Sequence, residues 1–152
     1  MPANLYGEGD NFNLNSSHVL PALTKKFILA KINNYPNVQV WGSGKVKREF
    51  LNVEDLSNAI YFLLRNKIKY DYINIGGGEH YSIKKIAQML KKITDYKGKI
   101  IFNKSYPDGV KRRQLDSSIM NRLGWKPKIK LENGLRNYCQ YYIKKIYPYE
   151  KN

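Results

Sequence analysis

Apolar residues recur along this chain with two spacings, and the alternation between them predicts an α/β fold. Residues 1–15, rich in Gly and Asn, read as a loop. Val19, Leu20, Leu23, Phe27 and Ile28 then fall at helical spacing, behind Ser16 and Ser17 as candidate N-caps, with Pro21 tolerated in the first turn. That helix should end near Asn33-Asn34. Val38, Val40 and Trp41 predict a short strand ended by Gly42-Ser43-Gly44, and residues 49–53 a second extended segment. Glu54 and Asp55 open a helix with Leu56, Ala59, Ile60 and Leu63 on one face, their charges complementing the helix dipole.

Residues 72–75 read as a strand before Gly76-Gly77-Gly78. Ser82 caps a helix whose apolar stripe is Ile83, Ile86, Ala87, Leu90 and Ile93, and residues 99–102 form a further strand. Asp116 is placed as the N-cap of a short helix through Leu123, stopped by Gly124. A last helix, residues 131–146, carries Leu135, Tyr138, Tyr142 and Ile146 at helical spacing. The strands are few and short, and the first helix lacks a preceding strand, so an open parallel sheet built from these pieces is incomplete. The pattern is that of a satellite domain plus sheet fragments.

At 152 residues, 42% hydrophobic and 26% charged, the chain suits one globular domain with a real core. It has no apolar run long enough for a transmembrane helix, and its opening lacks the basic and apolar regions of a signal peptide. The single cysteine, Cys139, rules out an intrachain disulfide framework and suits a reducing, cytoplasmic setting. The formal charge is 27 − 12 = +15. The lysines are dispersed and no block of five like charges occurs, so nucleic-acid binding is not expected as the main function. A basic surface still favours a polyanionic small ligand such as a nucleotide diphosphate.

Neither glycine cluster is a phosphate loop. Gly42-Ser43-Gly44-Lys45-Val46-Lys47 has Lys where a dinucleotide fingerprint needs its third Gly, and it lacks the Ser/Thr of a Walker A motif; Gly76-Gly77-Gly78 has the wrong spacing. Both are more simply strand-ending turns. No metal-ligand spacing and no nucleophile elbow is present. By residue type alone, His18 is a solvated or capping histidine at a helix start, His80 an exposed loop residue, and Cys139 a small buried thiol. Arg48, Asp108, Arg112 and Arg113 sit at turns. Arginines there suit bidentate diphosphate binding, and equally they are solvent-facing charges.

The order of motifs adds to this. Asn4-Leu5-Tyr6-Gly7 is followed by Asp10-Asn11-Phe12 and by Ser17-His18-Val19-Leu20-Pro21-Ala22-Leu23. Then come Val40-Trp41-Gly42-Ser43-Gly44, Arg48-Glu49-Phe50-Leu51-Asn52-Val53-Glu54-Asp55, Ile73-Asn74-Ile75-Gly76, Pro107-Asp108-Gly109 and Leu123-Gly124-Trp125. This succession resembles the GDP-L-fucose synthases, extended short-chain dehydrogenases/reductases, over nearly the whole chain. The Arg48–Asp55 and Leu123–Trp125 motifs are shared with many nucleotide-sugar epimerases and dehydratases. The Asp10–Leu23 and Trp41–Gly44 stretches are more particular to fucose synthases.

The resemblance implies the C-terminal, substrate-binding portion of such an enzyme, residues 1–152 as a single domain with residual Rossmann strands and helices. It implies a GDP-4-keto-6-deoxy-mannose substrate, epimerised at C3 and C5 and then reduced at C4 by NADP(H). His18 matches the family's catalytic histidine, a residue type whose ordinary pKa near neutrality suits moving a proton beside a ketone. Pro2, Ala3, Asn4 and Leu5, with His18, match the segment lining the nicotinamide end of the cofactor, although the family usually has Thr at the position of Ala3. Lys26, Trp41, Arg48 and Asp108 match substrate-contacting positions. If Lys26 replaces an Arg, it acts as a point charge and not a fork. Lys45-Val46-Lys47 and Val110-Lys111 depart from the family's turns.

The family's glycine-rich fingerprint, its Ser-Tyr-Lys reduction machinery and its reactive cysteine have no match here, and Cys139 does not occupy that cysteine's position. The expectation is a chain lacking the N-terminal NADP-binding domain, through truncation, a split gene or an incomplete reading of the gene, and inactive in hydride transfer alone. An N-terminal half as a separate chain and a homodimeric complete enzyme are the implied partners. Two rivals remain: a related nucleotide-sugar epimerase or 4,6-dehydratase, and a non-catalytic basic module for nucleotides or nucleic acid.

Overall fold

The computed structural model describes residues 1–68, 70–110 and 115–150. The fold is α/β, as the alternation of spacings predicts. Strands β1 (Asn4–Tyr6), β2 (Asn37–Trp41), β3 (Lys47–Asn52), β4 (His80–Ser82) and β5 (Lys99–Asn103) interleave with helices. The helices are α1 (Val19–Ile32), α2 (Val53–Arg65), α3 (Ile83–Ile93), α4 (Ser118–Arg122), α5 (Leu131–Tyr141) and, after a π-helical turn Tyr142–Ile146, α6 (Tyr147–Glu150). None is long and apolar enough to cross a membrane among the described residues.

The strands form two small sheets. In one, β3 lies between β1, which runs parallel to it, and β4, which runs antiparallel. In the other, β2 and β5 pair in parallel from Asn37 opposite Lys99 to Trp41 opposite Asn103. The larger core gathers Leu20, Leu23, Phe27 and Ile28 of α1, Ile86 and Leu90 of α3, and Leu135, Tyr138 and Tyr142 of α5 and its π turn. A smaller cluster joins Leu51, Ala59, Ile75, Met120 and Trp125. Most helix stripes read from spacing therefore face a core.

Several expectations need correction. Residues 1–15 are not all loop: Asn4–Tyr6 is a strand, because its backbone pairs with β3 and Tyr6 is only 2% exposed. The first helix is capped not by Ser16 or Ser17 but by the extended backbone of His18, with no side-chain capping bond. Ser16 instead accepts a hydrogen bond from Asn11. The segment 72–75 narrows to one bridge, Ile75 with Pro2. Ile60 is not on the buried face of α2. Ser117, not Asp116, precedes α4, while Asp116 accepts from the Ser118 amide at 2.9 Å. His80 is not a loop residue: it lies in β4 opposite Glu49, half-buried, with both ring nitrogens enclosed. Ser82 does cap α3, accepting from the Lys85 amide at 3.1 Å.

Two polar residues hold the frame that carries the site. Asn52 caps α2 by accepting from the Glu54 amide at 2.9 Å. Asp55, one turn further, is 2% exposed and accepts from the amides of Lys128 and Ile129 at 3.0 and 2.9 Å. Its charge ties the approach to α5 onto α2, a tertiary role beyond the dipole complement that position alone suggests.

Candidate functional site

A cleft of about 720 Å³ opens where β1, α1 and β3 converge. Its walls are residues 3–10 from β1 and the turn after it, His18, Val19 and Leu20 at the start of α1, and Arg48, Phe50 and Val53. The local reasons are simple. Side chains on β3 alternate in direction, so Arg48 and Phe50 share the face toward the cleft. Glu49 turns the other way, is 3% exposed, and accepts from the amides of Gly78 and Leu115 at 3.1 and 3.2 Å. The Asn4 side-chain Nδ2 donates to the Glu49 carbonyl at 2.8 Å, which locks β1 to β3 beside the opening.

His18 stands in extended conformation just ahead of the first helical turn, exposed to solvent. The uncapped amides and positive dipole end of α1 lie at the same edge, so negative charge in the cleft is favoured there. Arg48 is half-buried, and its Nη1 donates to the carbonyls of Lys47 at 2.8 Å and Val110 at 2.7 Å. A Cβ at Gly109 would lie 3.3 Å from Arg48 Nη2, so the chain passes close to the guanidinium on its way to Val110.

Lys26, Trp41 and Asp108 form a second group outside the cleft lining. Lys26 Nζ donates to the Gln39 carbonyl at 3.2 Å and lies 4.8 Å from the centre of the Trp41 ring, a cation–π contact. Burial pushes the Lys26 ammonium below its ordinary pKa. Tyr106 stacks on Trp41, with centroids 4.4 Å apart and planes 8° from parallel. Asp108 accepts from the Ser43 hydroxyl and, at 2.7 Å, from the Ser43 amide. Those two bonds, the hydroxyl's first, hold its carboxyl below the ordinary range. Both Asp108 oxygens are thus engaged, each with one lone pair left for a ligand.

Of the residues singled out from the sequence, Ala3, Asn4, Leu5, His18 and Arg48 share one cleft. Pro2 sits beside it, bridged to Ile75. Lys26, Trp41 and Asp108 are joined to that cleft through the strap 106–110, whose far end is the Val110 carbonyl bound by Arg48. Lys111, Arg112 and Arg113 lie outside the described residues. Cys139 is buried, and burial pushes its thiol up to about 12, which suits a core residue and not a nucleophile. A larger cavity of about 900 Å³ between α3 and β5 is rimmed by lysines and contains none of these residues.

Sequence reasoning missed Tyr106, Ser43 and Glu49. Only Glu49 left a signal: a carboxylate beside the apolar Phe50-Leu51, in an extended segment, has to find partners if it is buried. Nothing in the sequence says that the ends of β2 and β5 lie side by side, which is what stacks Tyr106 on Trp41.

The residues present fit one end of a dinucleotide cofactor. Ala3, Asn4 and Leu5 line open space beside His18. Gly44, Gly76 and Gly77 offer no second, phosphate-binding cradle. A Cβ at Gly77 would fall 1.8 Å from the Phe50 carbonyl oxygen, one at Gly76 2.3 Å from Glu49, and one at Gly44 2.3 Å from Phe102. These glycines are filled by the protein's own packing.

The model of the NAD dependent epimerase/dehydratase family matches residues 1–76, half of the chain. A protein of Arabidopsis thaliana named putative GDP-L-fucose synthase 2 is 44% identical over 146 residues, covering 96% of this chain and 44% of the relative. The structure of a GDP-L-fucose synthetase from Naegleria fowleri bound to NADP superposes with a TM-score of 0.83 at 29% identity, covering 98% of this chain and 46% of that one. A GDP-6-OMe-4-keto-L-xylo-heptose reductase from C. jejuni gives 0.84 at 33%, covering 95% and 53%. The chain spans about half the length of the proteins it matches.

Proposed function

Because the chain belongs to the NAD dependent epimerase/dehydratase family, we propose that it forms the substrate side of an NADP-dependent enzyme of GDP-L-fucose synthesis, the GDP-4-keto-6-deoxy-mannose 3,5-epimerase/4-reductase. The observation that carries this reading is the shared cleft, in which His18 and Arg48 face the same space beside Ala3, Asn4 and Leu5. The GDP-L-fucose synthase named among the relatives and the NADP-bound structural neighbour support it.

The chemistry follows from the ketone. A C4 carbonyl acidifies the C–H bonds on C3 and C5, because the resulting enolate spreads its charge onto oxygen. The His18 imidazole, exposed at the cleft, handles the proton on one face of these carbons, and the transfer on the opposite face falls to a group outside these 152 residues. The N-terminal end of α1 lies where the enolate's negative charge develops and stabilises it. Arg48 holds the diphosphate as a fork, with its strap bond fixing the guanidinium's direction. Bound NADPH supplies the hydride for C4. Residues 3–5 position its nicotinamide end, while its phosphates are held by a segment these 152 residues do not contain. Cys139, buried and protonated, does not supply the second proton-transfer group. On this reading the 152-residue chain alone binds GDP-sugar and transfers no hydride.

The test is a thermal-shift panel on the chain with GDP-, UDP- and dTDP-sugars. Stabilisation by GDP-sugars above the others is expected. Preference for UDP- or dTDP-sugars would move the assignment to a related epimerase or dehydratase. Steep salt-dependent binding of nucleic acid, with no response to any nucleotide sugar, would replace it with a basic binding module.

A further inference from the structure

Trp41 is the aromatic residue expected to pack against the base or sugar of the ligand, and although it is 52% exposed its ring is already engaged. Tyr106 stacks on it, at 4.4 Å and 8° from parallel, and the Lys26 ammonium lies 4.8 Å from the ring centre. A stack that close leaves no gap for a third ring. Tyr106 itself is 40% exposed, and among the described residues no ring other than Trp41 stacks on it.

We propose that Tyr106 is the platform on which the base of the nucleotide diphosphate stacks, extending the Trp41–Tyr106 stack by one more ring. This rests on the GDP-sugar reading above and assigns the residue that receives its base. Three further features support it. The pair is fixed in advance: Asp108, two residues after Tyr106, grips Ser43, two residues after Trp41, so the rings need no ordering when a ligand arrives. The strap is also continuous with the phosphate-binding cation. Four residues beyond Tyr106, the Val110 carbonyl accepts from Arg48 Nη1, and four residues of chain reach at most about 14 Å, a length comparable to a nucleoside diphosphate. Finally, positive charge stands at both ends of this assembly, Lys26 over the Trp41 ring and Arg48 at the Val110 end of the strap, as suits a polyanion attached to an aromatic base.

The experiment is calorimetric titration of the 152-residue chain with GDP and, separately, with inorganic pyrophosphate, for the unaltered protein, Tyr106→Leu and Tyr106→Phe. Stacking of one base on an aromatic ring corresponds to roughly a tenfold change in affinity or more. Tyr106→Leu should weaken GDP by at least about tenfold and leave pyrophosphate unchanged, while Tyr106→Phe, which keeps the ring, should bind both as the unaltered chain does. Tyr106→Phe keeps the stack on Trp41 and should melt as the unaltered chain does, and a cooperative melting curve checks that Tyr106→Leu remains folded. Undiminished GDP binding by Tyr106→Leu overturns the platform while leaving the GDP-sugar reading intact. So does an equal loss in the Leu and Phe variants, or an equal loss of GDP and pyrophosphate. Failure of the unaltered chain to bind GDP at all overturns both.

Discussion

Arg48 and Val110 are joined by a 2.7 Å hydrogen bond from a guanidinium nitrogen to a backbone carbonyl, across 62 positions of sequence. The side chain that faces the cleft therefore also tethers the strap beside it. Its neighbour Glu49, pointing to the opposite side of β3, accepts from the Leu115 amide at 3.2 Å. Two successive residues of one strand thus hold the chain at positions 110 and 115, and the site's cation is positioned by the same bonds that fix the strap.

Replacing Arg48 tests that double use. Arg48→Lys keeps the charge and loses the fork, so the lysine cannot serve strap and ligand together. Losing a charged hydrogen bond corresponds to about 1.5–3 kcal/mol, or roughly ten- to a hundredfold in GDP-sugar affinity. Titration of the variant with a GDP-sugar measures this, and an unchanged dissociation constant would remove Arg48 from the binding machinery.

The clasp between Asp108 and Ser43 should give the affinity an acid limb. Hydrogen bonds from Ser43 depress the Asp108 pKa, so the clasp is fully present above the ordinary carboxylate value and is lost as pH falls through the depressed one. GDP-sugar binding should therefore weaken on acidification below about pH 4. Comparison with Asp108→Asn isolates the effect, because the ligand's own titration is common to both. The variant should lack the part of the decline that Asp108 causes, and identical pH profiles would contradict the assignment.

Asp55 predicts a stability effect without a direct role in binding. In Asp55→Ala the amides of Lys128 and Ile129 lose their acceptor at a part-buried place. Stranding two such donors costs about 2–6 kcal/mol, toward the lower end where water reaches them. Urea unfolding should show a lower midpoint, with any GDP-sugar binding by the folded fraction preserved.

The elements and the site were legible to different degrees, for physical reasons. Helices with a one-sided stripe, such as α3 with Ile83, Ile86, Ala87 and Leu90, could be read with their cap, because periodicity and the Ser82 bond are local. Asn4–Tyr6 was not legible: a three-residue strand exists only through pairing with β3, forty-six positions away in register, as Asn4 with Phe50 shows. His80 was misread for the same reason, since its burial depends on β4 folding back against Glu49. In the site, His18 and Arg48 were named from motif order, and the structure brings them into one cleft. The side chains that brace Asp108 and Trp41, Ser43 and Tyr106, depend on the parallel register of β2 and β5, which no local pattern encodes.

The most direct test uses the fact that the chain has only two histidines, His18 and His80. In an imidazole-resolved NMR spectrum of the 152-residue chain, each gives its own signals, and the enclosed ring of His80 serves as an internal control. Titration with a GDP-sugar should shift the His18 resonances and leave those of His80 in place. Saturating binding that leaves His18 unmoved would contradict a ligand held beside the imidazole at the start of α1.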